Sequence, residues 1–140
     1  MLIINSMRFR LSYLLLASLF TASPVHAAWE KVGETEIGAV FFDRSSVKRN
    51  GTNLRVLTLV SATHKPVNTR EAGPLSYKRE MEIACKAPQL KVVSGTVYTG
   101  TMATGGVFRR EDAGRWSNVP SGTPMAKIVD LVCASSSAKP

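Results

Sequence analysis

The chain holds 140 residues, a length that fits one small domain, and its 44% hydrophobic and 20% charged residues exclude a wholly disordered or collagen-like polymer. Its formal charge of +8 comes from 18 Lys plus Arg against 10 Asp plus Glu, spread in short pairs such as Lys48-Arg49, Lys78-Arg79 and Arg109-Arg110. Spread charge reads as a solvated surface, and with no nucleic-acid motif present a nucleic-acid partner is not expected.

The N-terminus reads as a signal peptide over residues 1–27. Met1 to Arg10 carries Arg8 and Arg10 and no acid, and the apolar run Leu11 to Phe20 follows, ended by Pro24. That run is half the roughly 20 residues a membrane anchor needs. Val25-His26-Ala27 then supplies the cleavage site, so the mature protein begins at Ala28. No cysteine lies near the cut, so no lipobox anchors the product, and the predicted location is periplasmic or secreted. Met1 and Met7 are both acceptable starts, because Met7-Arg8-Phe9-Arg10 is itself a sufficient basic segment. Loss of Arg8 and Arg10 leaves 16 basic against 10 acidic residues, a mature charge of +6.

Along the mature domain, residues 28–134, period gives the elements in turn. Trp29 to Val32 is a short, weak strand, and Gly38 to Phe42 is a better one, rich in β-branched and aromatic residues. Asp43-Arg44-Ser45-Ser46-Val47 is expected to form a single helical turn capped by Asp43 or Ser45. Asn50-Gly51 marks a tight turn, and the sequon Asn50-Gly51-Thr52 is read as turn chemistry. Leu54 to Val60 is apolar on both sides, as a central strand is. His64 to Pro74 reads as a long exposed loop.

The clearest strand is Tyr77 to Cys85, where Tyr77, Met81, Ile83 and Cys85 alternate with Lys78, Glu80 and Glu82. Arg79 interrupts its apolar side and is expected near the exposed start. Leu90 to Tyr98 is another strand, Gly100 to Gly114 a second long loop, and Trp116 to Val119 a short strand. A helix then begins with Thr123 as cap and Pro124 in first position; Met125, Ile128, Val129, Val132 and Cys133 line one face. Residues 135–140 are expected to be a loose tail.

Cys85 and Cys133 are the only cysteines, and in an exported protein an even count reads as a disulfide. A metal site would need more ligands than two distant thiols and His64, and a redox pair usually appears as Cys-x-x-Cys. The predicted fold is therefore α+β: an antiparallel sheet with a C-terminal helix laid across it and tethered at its far end to the strand Tyr77 to Cys85.

Nothing in the pattern carries catalysis. His64, the one histidine left after cleavage, has no partner marked by spacing, and neither Gly-x-Ser-x-Gly nor a metal-ligand cluster occurs. Gly100 to Gly106 lacks the Gly-Lys-Ser/Thr ending of a phosphate loop, and the Ser121-Gly122-Thr123 amides are accounted for by helix capping. The chain is read as a non-enzyme with no cofactor and no metal.

The order of features carries a family resemblance. An early Trp29, the turn Phe42-Asp43-x-Ser45-Ser46-Val47, a strand ending Glu82-x-x-Cys85, Trp116, Val119-Pro120-Ser121-Gly122-Thr123 and a terminal helix closing on Val132-Cys133 together resemble the surface-adhesin protein E family. The resemblance covers nearly all of the mature chain. It implies about six antiparallel strands, a helix held by the disulfide, and a homodimer. It further implies binding of host extracellular-matrix or serum proteins, since the name-giving member is an outer-membrane lipoprotein that binds vitronectin, laminin and plasminogen. This chain departs from it in lacking the lipobox cysteine. In the loop before Tyr77, where that adhesin carries basic host-binding residues, this chain offers Lys65 and Arg70, neutralised in part by Glu71. With Arg109 and Arg110 these are the candidate binding residues for a protein or polyanionic surface. The competing function is a periplasmic accessory or inhibitor protein that binds another envelope protein or enzyme.

Overall fold

The computed structural model describes residues 27–63 and 73–137. Residues 1–26 of the expected signal segment, and His64, Lys65, Arg70 and Glu71, lie outside the described residues. The elements run β1 (Trp29–Glu34), β2 (Ala39–Asn50), β3 (Asn53–Ser61), β4 (Ser76–Ala84), β5 (Gln89–Tyr98), β6 (Val107–Glu111), β7 (Ser117–Asn118) and α1 (Pro124–Ser137). All pairings are antiparallel, in the spatial order β1 to β6. The two-residue β7 pairs Gln89 and Leu90 at the start of β5, while β6 pairs Gly95 to Tyr98 at its end. Both lie along one edge, so the sheet is six strand positions wide, as expected.

Register decides which side chains form the core. Val60 opposes Val40 on β2 and Tyr77 on β4, Val56 opposes Met81, and Leu54 opposes Ile83, so one face carries an apolar patch across the middle strands. A continuous row of buried apolar groups needs a cover, and the amphipathic α1 supplies it. Ile128, Val129 and Val132 of α1 are buried with Val32, Phe42, Val56, Met81 and Ile83 in one cluster. Full burial of each such side chain stabilises by roughly 1.5–3 kcal/mol before ordering entropy is charged against it.

The helix starts and ends as its sequence dictates. The Ala126 amide donates to Thr123 Oγ1 at 3.1 Å, which satisfies one of the unpaired donors of the first turn, and Pro124 takes the first position where no amide is needed. That end sits close on β1: a Cβ built on Gly33 would lie 3.0 Å from Pro124 Cγ. The other end is joined to the residue after β4 through Cys85–Cys133, with a Cα–Cα distance of 5.7 Å. The helix continues to Ser137, into the segment expected to be a loose tail, and residues 138–140 lie outside the described residues.

Three other expectations are corrected. Asp43 to Val47 is no helical turn: β2 runs through it with an irregular register between Asp43 and Lys48. Its side-chain oxygens close a bulge and cap no helix. Asp43 Oδ1 accepts the Ser45 amide at 2.9 Å, and Ser46 Oγ accepts the Leu57 amide at 2.8 Å, so a hydroxyl stands in for the missing ladder partner. Gly100 to Gly114 is not one loop, because Val107–Glu111 pairs with β5. Its turn is instead Thr99 to Gly106, where Met102 and Ala103 adopt φ of 54° and 58° and are pinned by the buried hydroxyls of Ser61 and Ser76, each accepting an amide at 2.9 Å. Arg79, finally, lies mid-strand, opposite Thr58 and Gly95. The expected Asn50-Gly51 turn closes the β2–β3 hairpin, with Gly51 at φ 64° in first loop position.

Candidate functional site

Arg109 and Arg110 are consecutive residues of β6, so their side chains leave opposite faces of the sheet. Arg109 opposes Val97 on the face that carries α1, and Arg110 opposes Thr96 on the face that does not. Both are exposed. The structure thus places the described half of the candidate set on one edge strand without bringing the two guanidinium groups together. Lys65 and Arg70, the other half, lie outside the described residues.

On the helix-bearing face the structure assembles residues that the sequence reading left out. Arg79 of β4 and Glu111 of β6 flank Gly95 of β5 in direct register. Arg79 Nε donates to Glu111 Oε2 at 2.6 Å and its NH2 to Oε1 at 2.9 Å, a bidentate pair reaching across the intervening strand. Gly95 makes the crossing possible, because a Cβ there would lie 2.6 Å from Glu111 Oε2 and 3.1 Å from Arg79 Cγ. The Arg79 guanidinium also stacks 4.2 Å from the centre of the Tyr77 ring. Arg109 stands at the outer side of this group, 3.7 Å from Glu111 Oε1 and 57% exposed. With Ile37, Leu75 and Val97, these side chains line an open cleft of about 360 Å³ beside the strand edge. The one signal for it in the sequence is Arg79 itself, a charge on the apolar side of an otherwise alternating strand.

The opposite face holds a second charged group. Glu82 is directly opposed by Arg55 on β3 and Lys91 on β5, and the Asn50 amide donates to it from the end of β2. Lys91 Nζ lies 3.1 Å from Glu82 Oε2 and Arg55 Nε 3.6 Å from Oε1; Lys91 also sits 4.9 Å from the Trp116 ring centre. Although its position in the alternation reads as a solvent-facing one, Glu82 is only 3% exposed, roofed by its long cross-strand neighbours.

The two carboxylates titrate below their ordinary range. Glu82 is held down first by the Asn50 hydrogen bond and then by Lys91 and Arg55, and Glu111 by its hydrogen bonds from Arg79, in each case against the opposing effect of burial. Burial raises the Tyr77 phenol. A carboxylate whose folded pKa is depressed stabilises the fold above its unfolded pKa, about 4.3, and that stability is lost as pH falls through the folded value. We therefore expect the urea midpoint to be level from pH 6 to 5 and to decline below about pH 4, with a shallower decline in Glu82→Gln and Glu111→Gln. A midpoint unchanged from pH 6 to pH 3 would exclude both pairs as sources of acid sensitivity.

A family model described as surface-adhesin protein E matches residues 29–134. No curated protein matches the chain. Among solved structures, crystal form II of Haemophilus influenzae protein E superposes with a TM-score of 0.59 at 12% identity, covering 79% of this chain and 91% of that one. Protein E from non-typeable Haemophilus influenzae gives a TM-score of 0.57 at 10% identity, covering 84% of this chain and 82% of that one. At such identities the likeness is one of fold. Among the described residues no helix is long and apolar enough to cross a membrane, and no three His, Cys, Asp or Glu side chains group as a metal site.

Proposed function

The chain belongs to the surface-adhesin protein E family, and from that premise we propose that it is an exported, non-enzymatic binding domain that engages host extracellular-matrix or serum proteins through basic side chains at the β6 edge and the segment before β4. The observation that carries this reading is the charge balance of β6. Glu111 is occupied by Arg79 in two short hydrogen bonds, which leaves Arg109 loosely compensated, and Arg110 makes no ion pair among the described residues. Basic groups that the fold does not consume are available to a partner of opposite sign. The family match, beginning at residue 29, follows directly on the expected cleavage before Ala28 and supports removal of the leader.

The test is binding of the purified domain, residues 28–140, to immobilised vitronectin, laminin and heparin at low and moderate salt. Exposed charges are screened within about 8–10 Å at physiological ionic strength, so affinity should fall as salt rises. Arg109→Glu/Arg110→Glu should weaken binding by roughly fivefold or more, mainly through the association rate, and Lys65→Glu/Arg70→Glu should do likewise. Binding to none of the three at low salt, or binding indifferent to salt and to all four substitutions, would defeat the adhesin reading.

A further inference from the structure

We infer that the outer edge of β6 is a docking site for an extended acidic segment of a partner protein, which adds to the sheet as a further antiparallel strand. The inference rests on the reading of this chain as a binding domain and specifies how that domain would bind.

The sheet order ends at β6, and half the backbone amides and carbonyls of an edge strand point away from its one neighbour. Such an edge is a template for pairing unless it is blunted, and the two edges of this sheet differ in how far they are. On β1, Glu30 is paired with Arg44 at 2.8 Å, Lys31 with Glu34 at 2.6 Å, and a bulge between Lys31 and Gly33 breaks the register. Its charges are closed among themselves. Both edges are irregular, since on β6 Phe108 has no partner between the Arg109–Val97 and Val107–Tyr98 pairs, so what sets β6 apart is its side chains. β6 has no proline, its Val107 and Phe108 side chains are 53% and 52% exposed, and its two guanidinium groups are only loosely compensated. Backbone donors, two exposed apolar side chains and excess positive charge thus lie along five residues.

The charge selects the occupant. Two copies of β6 paired antiparallel about their midpoint would set Arg109 against Arg109, and like charges directly opposite are destabilising. An acidic strand meets the same edge with the sign reversed. Arg110 and Arg109, on the regular part of β6, would be met in turn by successive residues of an antiparallel partner, with Phe108 and Val107 beyond them at the bulge, so the fitting sequence has two adjacent acids followed by two apolar, β-branched residues. The adjacent acids fall on opposite faces of the partner strand, as Arg109 and Arg110 do on β6. Main-chain bonds would supply the affinity and the Arg–carboxylate pairs the choice of partner.

The probe is the blocked peptide acetyl-Thr-Glu-Glu-Val-Val-Thr-amide, titrated into isotopically labelled, oxidised domain at low salt and followed through its backbone amide resonances. We expect saturable shifts concentrated in β6 and the facing part of β5. Two versions of the peptide, N-methylated on alternate residues in the two possible phases, should differ: one loses at least tenfold in affinity and the other little, because only one edge of an added strand faces β6. The Lys-for-Glu peptide should lose at least as much. Absence of binding at millimolar peptide, shifts centred elsewhere, or equal effects of the two methylated peptides would overturn the inference. So would a peptide-free protein whose β6 amides are protected in step with dimerisation, which would make a second copy the occupant. Peptide binding at β6 without binding to any host protein would leave this inference standing and remove the adhesin reading. Host-protein binding without peptide binding at β6 would do the reverse.

Discussion

Replacement of Cys85 and Cys133 by serine should lower the stability of the domain by about 4 kcal/mol, and reduction of the bridge should do the same. The bridge spans a sequence separation of 48 residues, and the chain-entropy model assigns a closed loop of that length about 4 kcal/mol, lost when the denatured chain is released. The enclosed segment contains β5, β6 and β7, so the crosslink restricts the denatured partners of one whole sheet edge while fixing the far end of α1 against β4. Against the 5–15 kcal/mol of a typical small domain, a loss of that size takes away a large part of the margin and should lower the melting temperature by roughly 15 °C or more. Urea unfolding with and without reductant, at constant pH, measures it. Thiol titration of the denatured, unreduced protein should give zero, because no described cysteine is free. A stability change under 1 kcal/mol on reduction would mean that the denatured chain gains little freedom when the crosslink is cut.

The elements most legible in the sequence were those whose evidence is local. α1 could be placed because Thr123 and Pro124 mark its start and the spacing of Ile128, Val129 and Val132 lies within its own length. β4 could be placed because Met81 and Ile83 alternate with Glu80 and Glu82 inside one run. β6 could not, since Val-Phe-Arg-Arg-Glu has no alternation and becomes a strand only by pairing with β5. Arg79 was misplaced for a related reason: its partner Glu111 is 32 residues away, and the Gly95 gap that lets them meet looks like any strand glycine until the register is known. Asp43 illustrates a different limit. A side-chain oxygen that accepts a nearby amide serves a helix cap and a strand bulge equally well, and the choice between them is made by Leu57 on the neighbouring strand. The candidate site was readable as the pair Arg109-Arg110. That the two residues divide between opposite faces follows from their being on a strand, which was the missing step.

The neighbours Phe41 and Phe42 were equally apolar in sequence, and the structure assigns them unequal roles that a pair of substitutions can measure. Phe42 has no exposed surface and lies in the cluster formed with Ile128 and Val132, beneath α1. Arg44 covers its outer side, with the guanidinium 5.3 Å from the ring centre. Phe41 opposes Leu59 on the face without the helix and is only partly buried, in a shallow cleft with Lys31, Ala39 and Met102. Truncation of a fully enclosed phenylalanine removes its transfer free energy and leaves a cavity that a rigid sheet and a tethered helix cannot close, so Phe42→Ala should cost about 3–5 kcal/mol. Phe41→Ala leaves a space that water can enter and should cost roughly 1 kcal/mol, in proportion to its smaller buried area. Urea unfolding of the oxidised proteins at neutral pH gives both values, provided the denaturant slope is unchanged, since a changed slope would signal a different denatured or native state. Equal losses for the two, or a larger loss for Phe41→Ala, would mean that α1 packs on the opposite face of the sheet from the one described. Arg110 would then stand on the helix-bearing side, while strand register would still keep Arg109, Arg79 and Tyr77 together on the other.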